Sequence, residues 1–188
     1  MSTFNQIFNK NRYDIKSAAD NSTKWFAQEV ERLRAQRIRS SQLMRGQLNN
    51  MKTQVLPGEL YMFYYDAKHK DKLPIWDRFP LVFPFRVVPG GFVGLNMHFL
   101  PYGVRMALLD KLTEYTTTRS LQEHTRLRLS WATLQRVSLM GEANQSVRRY
   151  LYSQVRSPFR KVSAPDWGTA MMLPVQQFIT PSGAIVKG

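Results

Sequence analysis

Apolar residues concentrate in three runs, at positions 59–66, 79–88 and 91–100, with clusters of Pro, Gly, Asp and Lys between them. Runs of that length bounded by turn chemistry read as β-strands. The second and third are joined by Pro89-Gly90-Gly91, where a glycine supplies the positive φ of a tight hairpin turn. In the first run Leu60, Met62 and Tyr64 point to one side, and Tyr61, Phe63 and Tyr65 to the other. Neither face is polar, which predicts burial on both, as in a small closed β-barrel or a curved antiparallel sheet covered by helices. After Pro101 the period changes, and Val104, Leu108, Leu109 and Leu112 fall on one face of a short helix. Residues 57–113 are thus expected to form a central β core with that helix attached.

The flanks carry a different pattern. Residues 1–22 are polar, with Phe4, Ile7, Phe8, Tyr13 and Ile15 as scattered anchors, and read as an arm ordered only against something else. Asn21, Ser22 and Thr23 are N-cap candidates for a basic helix over 24–51, within a unit spanning 23–54. Its apolar stripe is Phe26, Val30 and Leu33; beyond it come Arg34, Arg37, Arg39 and Arg45, with Ser40, Ser41 and Gly46 weakening the pattern. Across 120–156 the spacing predicts two helices. Leu127, Trp131 and Leu134 mark the first over 125–140, closed by Gly141 as a C-cap. Val147, Leu151 and Val155, at steps of four, mark the second. Such a pair fits either a DNA-reading helix-turn-helix or a helical hairpin of the core. Residues 157–188, punctuated by four prolines, read as an extended tail with strand-like pieces at 159–162 and 170–175. The fold class expected is α+β.

Charge changes the picture from fold to partner. Lys and Arg number 27 against 13 Asp and Glu, a net charge of +14 and an isoelectric point near 10.4. A chain this basic calls for a polyanion, foremost nucleic acid; an acidic protein subunit is the other reading. In the helix over 24–51 the acids stop at Glu31 while the bases run on to Lys52, so internal pairing leaves a surplus. In AKHKDKLP, Lys68, Lys70 and Lys72 share one side if the segment is extended, and suit phosphates without reading sequence. Trp76 is either a stacking platform for a base or a core anchor for that loop. Arg126, Arg128, Arg148, Arg149 and Arg156 make a second basic zone, to which Arg136, Arg160 and Lys161 add charge.

Enzymatic chemistry finds little support. No cysteine is present, so disulfides, thiolate metal sites and cysteine nucleophiles are excluded. His69, His98 and His124 lie far apart with no carboxylate at ligand spacing, and neither a phosphate-binding glycine loop nor a serine elbow occurs. Asp66 and Lys68 would share a strand face, as a metal ligand and a lysine do in many nucleases. The nearest second acid, Glu59, would stand about 20 Å away along an extended strand, too far to help. No catalytic residue, metal or cofactor is expected, nor any small-molecule substrate. The first twenty residues have no apolar core and no run reaches membrane-spanning length, so a soluble protein made in a cytoplasm is expected.

The combination of GELYMFYYDAKHKDKLPIWDRFPLVFPF with GFVGLNMHFLP and a short basic helix resembles the central region of the DNA end protector proteins of tailed phages, the head-completion proteins of T4-like phages and their relatives. The resemblance implies a minor virion component that binds the ends of packaged double-stranded DNA and shields them from host exonuclease. It carries no residue-level motif, so it transfers a role and not a site. Two functions are therefore expected: a non-enzymatic virion protein on the DNA end, or an architectural subunit of the phage neck, tail or baseplate whose basic surface and arms meet other virion proteins. Either places the protein in the virion, and in the host cytoplasm during assembly.

Overall fold

The computed structural model describes residues 31, 35, 37–45, 48–117, 132–134, 136–137 and 144–186. The expected arm over 1–22, Arg34, Arg126, Arg128 and most of the helix over 125–140 lie outside them. Six strands form one sheet: β1 (Met51–Lys52), β2 (Leu60–Met62), β4 (Leu81–Val88), β5 (Gly91–Asn96), β6 (Val147–Leu151) and β7 (Phe159–Val162). Their order is β1-β7-β2-β4-β5-β6, with every neighbouring pair antiparallel. A smaller sheet has the order β3-β8-β9, from β3 (Trp76–Asp77), β8 (Phe178–Ile179) and β9 (Ile185–Val186). Helices among the described residues are α1 (Ser40–Met44), α2 (Tyr102–Thr117) and α3 (Trp167–Met172).

The hairpin of β4 and β5 turns at Pro89-Gly90, with Gly90 at φ 74° and Val88 paired to Gly91. Pro84 interrupts β4, and the register shifts between Pro84 and Arg86. A proline cannot donate to a ladder, so a bulge is where a central strand tolerates one. Strand alternation then sorts the side chains. Leu60, Met62, Leu81, Phe83, Leu95 and Val162 enter one core cluster, covered by α2, α3, Leu43 and Leu134. Tyr61, Phe63, Val82, Phe92, Tyr150 and Phe159 enter a second on the opposite face, covered by Val55, Tyr65, Trp76 and Ile179. Rings in the second cluster meet mostly edge to face, such as Phe63 with Phe159 at 5.0 Å and with Tyr150 at 5.4 Å. Burial on both faces, expected from β2, is what these two clusters provide.

Four expectations need correction. The sheet does not close into a barrel: β1 and β6 stand at opposite ends of the strand order. The second member of the helical pair is a strand, because Val147, Tyr150 and Leu151 suit a pleated surface and β5 offers a full ladder, from Gly91↔Leu151 to Leu95↔Val147. The basic helix does not run to Met51. Arg37 takes a left-handed φ of 50°, α1 restarts after Arg39 with the Arg39 N–H on Gln42 Oε1 at 2.7 Å, and a 3-10 turn over Leu48–Asn50 leads into β1. Serine, asparagine and glycine in this stretch are poor helix formers. Finally, the expected tail is core. Phe159–Val162 is the strand the sequence suggested, yet it lies between β1 and β2, and α3 buries Trp167, Ala170, Met171 and Met172. The Trp167 indole donates to the Val162 carbonyl at 3.0 Å.

One buried cation locks the layers together. Arg105 of α2 is 6 % exposed and donates to the carbonyls of Met171 (3.0 Å), Leu100 (3.1 Å) and His98 (3.3 Å).

The β5–β6 contact sets a test. A Cβ on Gly91 would stand 1.9 Å from the Tyr150 carbonyl oxygen, whereas one on Gly90 would meet nothing within 4 Å. Gly90→Ala is expected to cost about 1–2 kcal/mol, from its positive φ alone. Gly91→Ala forces two backbones apart and is expected to exceed the usual overpacking cost of about 1–3 kcal/mol. Urea midpoints at constant m-value measure both; a Gly91→Ala midpoint at or above that of Gly90→Ala would contradict the packing described.

Candidate nucleic-acid interface

A cavity of about 560 Å³ opens beside β6, bounded by the segment that runs from Tyr65 to Asp77 and by Phe99. β6 reaches it because it is the edge strand. Loop 68–72 is a run of turns, closed by the Lys72 and Leu73 N–H groups on the His69 carbonyl, and it holds Lys68 and His69 at the rim. Arg148 projects over the Phe99 ring, 4.6 Å from its centroid, and Phe99 rests on Phe178 at 4.8 Å. Arg149 is exposed and bonds the Pro89 carbonyl at 3.3 Å. Trp76, Tyr65 and Tyr150 supply aromatic wall, with Tyr65 and Tyr150 edge to face at 5.0 Å.

Under this wall lies a buried polar network. Asp77 is the one acid among the described lining residues, and it is fully buried. Its Oδ2 meets His98 Nδ1 at 2.7 Å and accepts from Asn96 Nδ2 at 3.1 Å. Its Oδ1 accepts from the backbone of Phe79 at 3.0 Å and of Gln177 at 3.3 Å. Asn96 also bonds the Tyr150 hydroxyl at 3.1 Å and accepts from the His98 N–H at 3.0 Å. Burial alone would raise the Asp77 pKa; the His98 charge and these hydrogen bonds outweigh it and hold the carboxyl below its usual range. Burial pushes the Tyr150 hydroxyl well above its ordinary value, and the Asp77 charge adds to that. Acid chemistry at the cavity floor is therefore tied up, and its open charge is cationic.

Of the residues singled out by sequence, Lys68, Trp76, Arg148 and Arg149 line this one cavity. Trp76 is at the same time a member of the second core cluster. Lys70 and Arg156 gather next door on Asp66, at 3.0 and 3.8 Å, which absorbs part of their charge. Lys72 is exposed on the same loop. Arg37, Arg39 and Arg45 are exposed but belong to the segment whose Leu43 packs into the first cluster, away from this wall. Arg160 is 1 % exposed inside the sheet and Lys161 pairs with Glu59, so neither offers a free surface charge. Asp66 and Lys68 do not share a strand face, since Lys68 opens the turn; among the described residues no three His, Asp or Glu side chains come together to hold a metal. Phe99, Tyr150 and Asp77 were not legible as site residues. Only the VRRYL alternation hinted that Tyr150 faces one way and Arg149 the other.

Two N–H groups of the wall, Trp76 Nε1 and Arg148 Nε, are buried and have no hydrogen-bond partner among the described residues. A donor left so costs about 1–3 kcal/mol. The cavity combines a cationic rim with an aromatic wall: it suits an anion with an aromatic part.

The family model described as phage T4 terminal DNA protecting protein matches residues 2–184, and the chain belongs to that family. No curated protein and no solved structure matches the chain. Among the described residues no helix is long and apolar enough to cross a membrane.

The buried carboxylate generates a stability prediction. Asp77→Asn removes the buried carboxylate that His98, Asn96 and the backbone of Phe79 and Gln177 share, and is expected to cost about 3–5 kcal/mol at neutral pH. Because the native pKa of Asp77 is lowered, its contribution is complete above the unfolded value of about 3.9 and fades as pH falls toward the native one. The gap between parent and variant should accordingly narrow in denaturation series taken from pH 6 down to pH 3. A gap that widens in acid would reverse the sign assigned here.

Proposed function

We propose, from the membership of that family, that the protein binds packaged double-stranded DNA at its end and shields it from exonuclease as a physical cover, with no chemistry of its own. The reading is carried by one observation: Lys68 and Arg148 line a single concave site together with Trp76, and Arg149 lies at its margin. Lysine and arginine contacts to phosphate give affinity without sequence preference. Long-range attraction from a net charge of +14 draws the protein to DNA but acts alike on an end and on the middle of a duplex. Preference for an end has to come from shape, and a cavity is a shape that only a terminus can enter. Lys70, Lys72 and Arg156, on or beside the same loop, then serve as outlying phosphate contacts along the first turn of the duplex; Arg37, Arg39 and Arg45 lie away from it, and Arg126 and Arg128 lie outside the described residues. In the virion the protein sits where the DNA end is held, next to the neck proteins that close the head.

Competition between a linear duplex and a covalently closed circle of the same sequence, at near-physiological salt, tests this reading. The linear form should win, and its ends should resist exonuclease digestion when bound. If about six phosphates are contacted, log affinity should fall against log salt with a slope near −5, and Lys68→Gln with Arg149→Gln should flatten that slope by about 2. Equal binding of both forms would reduce the protein to a general basic binder. Binding to neither would transfer the basic surface to an acidic neighbour in the neck, tail or baseplate.

A further inference from the structure

End binding leaves open what part of the DNA enters the cavity. Its volume of about 560 Å³ falls within the range of pockets that enclose one small organic molecule, roughly 300–1,000 Å³. One nucleotide fits that range; a base pair still stacked in a duplex does not. The wall asks for two things at once. Tyr65, Trp76, Phe99 and Tyr150 present flat apolar surface, to which a base face is complementary. Lys68 and Arg148 present charge, with Arg149 at the margin. A phosphate is the anion that such a rim takes without reading sequence.

We propose that the cavity receives a single unpaired nucleotide from the DNA terminus, the base against the Trp76 side of the wall and the phosphate toward Lys68 and Arg148, with Arg149 at the margin. The inference rests on the end-binding reading above and adds to it that the last base pair opens. Unpairing is least costly where a base is already mismatched or single-stranded, so the bound end is a frayed one. An exonuclease, which needs the terminal nucleotide, then finds it enclosed by protein rather than merely screened by charge.

The same nucleotide chemistry could come from a free mononucleotide, and the experiment separates the two sources. The full-length protein is titrated with three DNAs of matched sequence carrying terminal phosphates: a closed circle, a fully paired linear duplex, and a linear duplex whose last two pairs are mismatched. A nucleoside monophosphate is added as competitor in a separate arm. The mismatched end should bind about tenfold more tightly than the paired end. Trp76→Phe, which trims the indole to a smaller ring, and Lys68→Gln with Arg149→Gln, which alters exposed side chains and leaves the core intact, should each cut that preference to threefold or less. Linear DNA favoured over the circle, with mismatched and paired ends bound alike, would overturn the nucleotide inference and leave end binding standing. Linear and circular DNA bound alike would overturn both. A free mononucleotide that displaces the mismatched end at equal concentration would overturn the assignment to DNA in favour of a nucleotide site.

Discussion

A carboxylate removed from water must be answered on every side, and Asp77 is answered by four different parts of the chain. Its two oxygens hold the backbone at Phe79 and Gln177 and the side chains of His98 and Asn96, and Asn96 passes the connection on to Tyr150. Those groups come from the loop before β4, the approach to β8, the 3-10 turn after β5, the end of β5 and the edge strand β6. A buried charge left short of partners is costly, so the small sheet, the turn and the edge strand are held in one arrangement or the network fails. That arrangement places Trp76, Phe99 and Arg148 around the same space. The cavity is thus a consequence of where one charge is neutralised, and its walls stand on strands rather than on loops alone. Only the Lys68 side of the rim belongs to a segment without such support.

Charge and shape do separate work in this molecule. The excess of 14 positive charges belongs to the whole chain and acts at a distance. Part of it is spoken for among the described residues: Asp66 holds Lys70 and Arg156, Glu59 holds Lys161, and Arg105 and Arg160 are inside. Among the described residues, Lys68 and Arg148 stand together at the cavity, with Arg149 at its margin. A protein that tracks a duplex sideways spreads its cations along a groove or a helix. Cations gathered around a cavity favour a ligand that arrives by its tip.

The local signals in the sequence were sufficient where the structure is local. The β4–β5 hairpin follows from Pro89-Gly90 between two apolar runs, α2 follows from the Leu108, Leu109 and Leu112 face, and β7 follows from 159–162. The misreadings share a cause in long-range pairing. Val147, Leu151 and Val155 recur at steps of four, yet the same residues alternate well enough to form a strand once β5 presents an open ladder. The prolines after Ser157 suggested an arm, but Phe159–Val162 inserts beside β2 and carries α3 with it into the core. Among the site residues, the basic and aromatic members could be named from composition, whereas their meeting around one cavity depends on β6 being an edge strand. The Asp77–His98 pair was out of reach for the same reason: 21 residues and a second sheet separate its members.

β6 stands at one end of the six-stranded order. An edge strand exposes backbone groups that invite another strand, and charged side chains are the ordinary guard against that. Arg148 and Arg149, adjacent on a pleated strand, leave on opposite faces, so the edge is flanked by cations on both sides. Arg148 is drawn over Phe99, and Arg149 is drawn to the Pro89 carbonyl at the hairpin tip. Both side chains are therefore held by contacts within the protein, which limits the rotamer entropy left to each. Guarding the edge and the anion contact proposed above would place the same demand on these two positions. A substitution to glutamate at either would still block strand addition while repelling phosphate, which separates the two roles within a single residue.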